Sequence, residues 1–129
     1  MPVTNVHKEP ERLAMTVTSE FTAPVERVWE LWQNPRLLER WWGPPTYPAT
    51  VVDHALTVGG SVTYFMTGPE GDQHHGWWKV RAVDAPRQLE FEDGFAHEDG
   101  TPNLELPTTI IQVNLKEGES GGTTMTIAT

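Results

Sequence analysis

The sequence predicts an α+β fold, with a seven-stranded antiparallel sheet and two short helices that follow the first strand. Three observations predict this class. Apolar residues recur with a helical period only between residues 22 and 42. Elsewhere they alternate with polar residues, which is typical of half-buried strands. Most of the alternating segments are joined by short turns rich in glycine and proline, so consecutive strands should run antiparallel.

The N-terminal part of the chain divides into a polar lead-in and the first strand of the domain. Residues 1–10 are polar and include two prolines, which indicates a flexible lead-in. A single domain should then span residues 11–129. Its first strand should run from Arg12 to Phe21, because apolar residues such as Met15 and Val17 alternate there with polar ones.

The helical stretch divides into two short helices. Pro24 suits a first helical turn, because its missing N–H would have no partner there. The residues that follow at helical spacing form one apolar face: Val25, Val28, Trp29 and Trp32. Asn34-Pro35 interrupts this helix, since the residue before a proline disfavours helical geometry. The second helix should run from Pro35 to about Trp42 and end at Gly43.

Six more strands are predicted after the helices. Their segments are Thr50–Val58, residues 62–67, Gln73–Val83, Gln88–Phe95, residues 111–115 and Thr123–Thr129. One face of the first of these carries Val52, His54, Leu56 and Val58. In the third, the charged Lys79 and Arg81 should face water. The residues of its opposite, inward face are Trp78, Val80 and Ala82. Two short helices should not cover the whole apolar face of such a sheet, so we expect part of it to need another cover.

Composition excludes several classes of function. The chain has 18 acidic and 9 basic side chains, a formal net charge of -9 and no cysteine. This balance argues against nucleic-acid partners, which need clustered Lys and Arg. The missing cysteines exclude disulfides and thiolate zinc sites. No apolar run approaches the length of about 20 residues that spans a bilayer, and the N-terminus lacks the apolar core of a secretory signal. We therefore expect a cytoplasmic protein that engages neither nucleic acid nor membrane.

Several short motifs carry a resemblance to a known family: ERVWELW, LERWWGP, VGG, MTGPEGD, GWWKV, FEDGF and GGTTMTI. In this order and spacing they resemble the SRPBCC or START-like superfamily, and within it the AHSA-like branch, named after the activator of the 90-kDa heat-shock protein ATPase. The resemblance covers Arg12 to Thr129. It implies a helix-grip fold, in which the sheet curls around a long C-terminal helix and leaves a cavity between helix and sheet. That helix would follow TTMTIAT, where this sequence ends, so we expect it to be absent from this chain.

The resemblance makes inward-facing, mostly aromatic residues candidates for the wall of a ligand cavity. These candidates are Trp41, Trp42, His54, Tyr64, Met66, Trp78 and Phe91. Aromatic rings offer a ligand large and rigid apolar area, although ordinary core packing would select the same residues. The leading hypothesis is a non-enzymatic START-like domain that binds a small hydrophobic ligand without a cofactor.

Two other functions stay open. Relatives in the wider superfamily include cyclases and hydrolase-like enzymes, for which a buried pair of His54 and Asp93 would supply acid–base chemistry. A hydrogen-bonded core histidine is the commoner reason for an inward His54. The family name implies a chaperone-associated module, and an uncovered sheet face would allow a homodimer. No metal site is expected, because the adjacent His74 and His75 should point to opposite faces of a strand.

Overall fold

The structure is a computed structural model that describes residues 3–9, 14–118 and 120–129. Its elements, in chain order, are β1 (Val3–Glu9), β2 (Ala14–Phe21), α1 (Val25–Gln33), α2 (Pro35–Trp41), β3 (Ala49–His54), β4 (Ser61–Thr67), β5 (Gln73–Asp84), β6 (Gln88–Phe95), β7 (Thr109–Glu117) and β8 (Thr123–Ala128). The eight strands form one sheet in the order β1-β2-β8-β7-β6-β5-β4-β3. Every neighbouring pair is antiparallel. We call the face that packs against the helices the inner face.

The sheet has one strand more than the sequence predicts. All seven predicted strands are present, but Val3–Glu9, expected to belong to a flexible lead-in, forms β1 and pairs with β2. The prolines that indicated a lead-in, at positions 2 and 10, stand outside this strand, so neither removes a ladder N–H from it. The predicted start of β2, at Arg12 and Leu13, lies outside the described residues.

The two predicted helices are confirmed, and a single residue separates them. The backbone N–H of Asn34 donates to the Glu30 carbonyl at the end of α1. The Asn34 side chain accepts from the Arg36 N–H at 2.9 Å at the start of α2. A side-chain cap of this kind stabilises a helix by about 1 kcal/mol. Within the described part of the chain, neither helix is long and apolar enough to cross a membrane.

The core lies between the helices and the inner face of the central strands. Its completely buried large side chains include Trp32, Leu38, Trp78, Leu89, Phe91 and Met125. The ring of Trp32 contacts Trp78 of β5 and Phe91 of β6, and its N–H donates to the Met125 sulfur of β8. One indole of α1 therefore spans the inner face from β5 to β8. The helices therefore cover these central strands of the inner face, because large aromatic side chains extend their reach.

A β-bulge in β3 interrupts the alternation that the sequence suggests. The register shifts between Val51 and Asp53, so that Val52 is the extra residue. Val52 is 62% exposed, whereas His54 pairs with Val62 and keeps its inward direction. Val51 and His54 face inward on either side of the bulge, so the inward direction predicted for Val52 is wrong.

A second bulge lies in β5. The register shifts between Val80 and Ala82, so that Arg81 is the extra residue. Ala82 is exposed, and Val83 packs against the core in its place. Val58, in the turn after β3, is 70% exposed. The inward directions predicted for Ala82 and Val58 are therefore wrong.

Candidate functional site

Six aromatic rings meet between the helices and the centre of the sheet. We call them the aromatic cluster: Trp32, Trp41, Trp42, Tyr64, Trp78 and Phe91. Trp78 and Phe91 stack with centroids 3.9 Å apart, and Trp42 meets Trp78 edge-on at 4.7 Å. Trp32, Trp78 and Phe91 are completely buried, whereas Trp41 and Trp42 are half-buried. The cluster contains five of the predicted cavity residues, and Trp32 joins them.

Local sequence features place these rings. Trp32 lies on the buried face of α1, and Trp41 and Trp42 follow one another where α2 ends before Gly43. The indole N–H of Trp41 donates to the Leu31 carbonyl at 3.1 Å, which ties the end of α2 to α1. Strand alternation directs the other three rings inward from β4, β5 and β6.

The remaining predicted cavity residues lie at the edge of the cluster. Met66 is partly buried and packs against the core. His54 Nε2 lies 2.8 Å from the Trp32 carbonyl oxygen. Because a carbonyl only accepts, His54 Nε2 must carry the proton and donate. His54 thus links β3 to α1 as a hydrogen-bonded, partly buried side chain.

The structure does not bring His54 and Asp93 together. His54 pairs with Val62, Val62 with Trp78, and Trp78 with Asp93, so the four residues form one row across β3, β4, β5 and β6. Three strand spacings separate the ends of that row, which is about 14 Å. The catalytic pair suggested by the sequence therefore lacks the necessary contact.

A different pair involving Asp93 lies beside the cluster. Tyr64 of β4 donates its hydroxyl proton to Asp93 Oδ1 of β6 at 2.9 Å, although β5 runs between these strands. The phenol passes over Gly76 of β5, where an added Cβ would collide with Tyr64 Cζ and Oη. Sequence reasoning missed this pair. The available signal was Gly76 itself, since a glycine inside a strand often marks a close approach.

Burial shifts the pKa of both groups. It raises the pKa of Asp93 from 3.8 to about 6, against the opposing effects of the Tyr64 hydroxyl and the Trp78 indole N–H. Burial, together with the charge of Asp93, also raises the pKa of Tyr64. The phenol therefore keeps its proton, and Asp93 is the member of the pair that exchanges a proton near neutral pH.

Two indole N–H groups of the cluster are buried without a hydrogen-bond partner, those of Trp42 and Trp78. Both lower the pKa of Tyr64, so they lie close to its hydroxyl, but neither makes a hydrogen bond of standard geometry. The indoles that do have partners are those of Trp29, Trp32 and Trp41. An unpaired buried N–H costs about 1–3 kcal/mol, so an acceptor that reached either indole would be bound favourably there.

Trp77 provides a comparison within the same strand. Its indole N–H is also buried without a partner. Trp77 precedes Trp78 in β5 and therefore lies on the outer face of the sheet, where its ring covers Gly94. A ligand at the inner face would leave Trp77 untouched.

Two depressions of the described surface lie away from the aromatic cluster. One of about 800 Å³ is lined by residues that include Phe21, Gly122 and Thr123. Another of about 320 Å³ is lined by residues that include Val83 and Leu89. Neither of these two depressions is lined by a member of the cluster.

In the β4–β5 hairpin, the His74 side chain contacts a neighbouring carboxylate. His74 Nε2 lies 2.6 Å from Asp72 Oδ2, and both side chains are exposed. Among the residues that the structure describes, no group of three or more His, Asp or Glu side chains is arranged to hold a metal ion.

Comparisons with known proteins agree with this architecture. The family model described as "Activator of Hsp90 ATPase homolog 1-like protein" matches residues 22–129. The curated proteins give no match. The crystal structure of protein Ms6760 from Mycobacterium smegmatis is 50% identical, has a TM-score of 0.87, and covers 98% of this chain and 77% of its own.

Two further solved structures support the same assignment. The solution structure of a protein from Arthrobacter aurescens is also 50% identical, with a TM-score of 0.90, and covers 98% of this chain and 73% of its own. The AHSA1 protein from Silicibacter pomeroyi is 18% identical, with a TM-score of 0.71 over 90% of this chain and 78% of its own, and is similar in fold alone. The chain has the antiparallel START-like architecture and belongs to the family of activator of Hsp90 ATPase homolog 1-like proteins.

Proposed function

We propose that this domain binds a small, mostly apolar molecule at the aromatic cluster, between the end of α2 and strands β4 to β6. The observation that carries the proposal is the Tyr64–Asp93 pair, a hydrogen-bonded phenol and carboxyl beside closely packed aromatic rings. Ligand sites commonly combine apolar walls with a few placed polar groups. This arrangement has both components.

A role in packing alone does not account for Asp93. Raising the pKa of a carboxyl from 3.8 to about 6 corresponds to about 3 kcal/mol of unfavourable burial at neutral pH. An apolar residue at the same inward position of β6 would avoid that cost. Groups retained in spite of such a cost occur often at functional sites.

The partly exposed members indicate where a ligand enters. Trp42, Met66 and Asp93 each keep partial exposure, and all three are next to Tyr64 in space or along β4. The rings behind them are completely buried. A ligand therefore approaches beside Trp42, where these partly exposed side chains meet.

The test is a titration with the neutral fluorescent probe N-phenyl-1-naphthylamine. We expect saturable binding to the wild-type protein. Trp78→Phe should weaken binding about tenfold, which corresponds to about 1.4 kcal/mol of lost contact. Trp77→Phe is the matched control, because it removes the same indole from the adjacent residue on the outer face.

Both variants are first compared with the wild type by circular dichroism, so that only folded proteins enter the comparison. Equal probe affinity in Trp78→Phe and the wild type would count against the site. Absence of saturable binding by the wild type would count against the function.

A further inference from the structure

We propose that the ligand of the aromatic cluster carries a hydroxyl group, which donates to Asp93 Oδ2 and accepts from the indole N–H groups of Trp42 and Trp78. This inference rests on the proposed function and names the polar part of its ligand.

Some polar groups at this site have hydrogen-bond partners and others do not. The Tyr64 hydroxyl donates to Asp93 Oδ1 at standard geometry, and the Trp78 N–H lies near the same carboxyl without completing a hydrogen bond. Asp93 Oδ2 is left as an acceptor. The N–H groups of Trp42 and Trp78 are left as donors. The site therefore offers two donors and one acceptor to a ligand.

These groups are close neighbours. The Trp42 and Trp78 ring centroids are 4.7 Å apart. Both indole N–H groups lie near the Tyr64 hydroxyl, which is bonded to Asp93. Tyr64, Trp78 and Asp93 are on the inner face of the sheet and Trp42 packs against that face from the end of α2, whereas the unpaired indole of Trp77 lies on the other side of the sheet.

A hydroxyl satisfies this set better than other common groups. It donates one hydrogen bond and accepts up to two. A ketone only accepts, so it would leave Asp93 Oδ2 without a donor. An ammonium only donates, so it would leave both indoles unpaired. A ligand carboxylate would meet a like charge, because Asp93, with a pKa of about 6, is mostly ionised at neutral pH.

The experiment compares phenol with toluene, which match in shape and differ by the hydroxyl. Dissociation constants come from backbone amide shifts in proton–nitrogen correlation spectra of the wild type, Asp93→Ala and Asp53→Ala. Asp53 is an exposed carboxylate on β3 and serves as the control. We expect the wild type and Asp53→Ala to prefer phenol about tenfold, the effect of roughly one satisfied polar group.

In Asp93→Ala the preference for phenol should shrink, because the acceptor is lost and the two indole donors remain, while toluene affinity stays unchanged. The spectra also show directly whether the variant is folded. Equal affinities for phenol and toluene in the wild type would overturn the inference and leave the proposed function intact, and so would a phenol preference that is undiminished in Asp93→Ala. If neither compound binds the wild type, the proposed function fails and the inference fails with it.

Discussion

At the scale of single residues, Gly76 permits the polar part of the candidate site. Tyr64 reaches Asp93 across an intervening strand only because the phenol lies directly on the Gly76 backbone. A glycine inside a strand is normally unfavourable, since it gives no side chain to pack and loses more conformational freedom on folding. At this position the missing side chain is required by the neighbouring tyrosine.

We predict that Gly76→Ala destabilises the protein by about 1–3 kcal/mol, because the new methyl group must displace the Tyr64 ring. Urea unfolding measures the loss. Gly118→Ala is the control, since an added Cβ there meets only the Gly122 carbonyl at 3.7 Å. A Gly76→Ala protein as stable as its control would show that the Tyr64 ring does not lie over β5.

Asp93 makes stability depend on pH in a defined direction. Its pKa is raised to about 6 in the folded state from an ordinary value of 3.8, so the folded protein holds this proton more tightly than the unfolded chain. The resulting stabilisation is complete below about pH 4 and is lost as the pH rises through 6. At neutral pH the ionised, buried carboxylate opposes folding.

We therefore predict that Asp93→Asn, which cannot ionise, gains stability over the wild type as the pH rises. The difference should be near zero at about pH 4 and reach at most about 3 kcal/mol at pH 7. Urea unfolding across this range measures it, with the exposed Glu105→Gln as control. A difference that stays constant with pH would contradict the burial of Asp93.

At the scale of elements, local patterns were sufficient for the helices and for the existence of most strands. The helical spacing of Val25 to Trp32 and the alternation in β4 and β6 are properties of short segments. They can therefore be recognised without knowing which element the segment packs against. The bulges at Val52 and Arg81 could not be read in this way, because an extra residue is defined only against the neighbouring strand. β1 was missed because Val3–Glu9 is short, polar and flanked by prolines.

The bulge in β5 gives a test of the register. Ala82→Asn should change stability by less than about 0.5 kcal/mol, because this side chain is exposed. Val83→Asn should cost about 2 kcal/mol, because it places an amide against the core. Thermal or urea unfolding of the two variants measures both changes in stability. If Ala82→Asn were the more destabilising variant, Ala82 and not Val83 would face the core, as an uninterrupted alternation predicts.

At the scale of the whole molecule, strand order decides what the candidate site contains. Inward direction is a local property, so Trp78, Tyr64 and Phe91 could be predicted to face the helices. The partner of Asp93 depends on which strands are neighbours. Sequence reasoning suggested His54, but two strands stand between them, and Tyr64 takes that place by crossing β5. The unpaired indole donors likewise appear only when all the elements are packed together.

Ligand binding on the inner face is tested most directly by following the six tryptophan indole N–H signals in a proton–nitrogen correlation spectrum as phenol is added. If phenol binds at the aromatic cluster beside the Tyr64–Asp93 pair, the Trp42 and Trp78 signals should move downfield, as their unpaired N–H groups gain an acceptor, and the Trp77 signal should not move. Saturating phenol that leaves the Trp42 and Trp78 signals in place, or that moves Trp77 equally, would contradict a ligand site at this cluster.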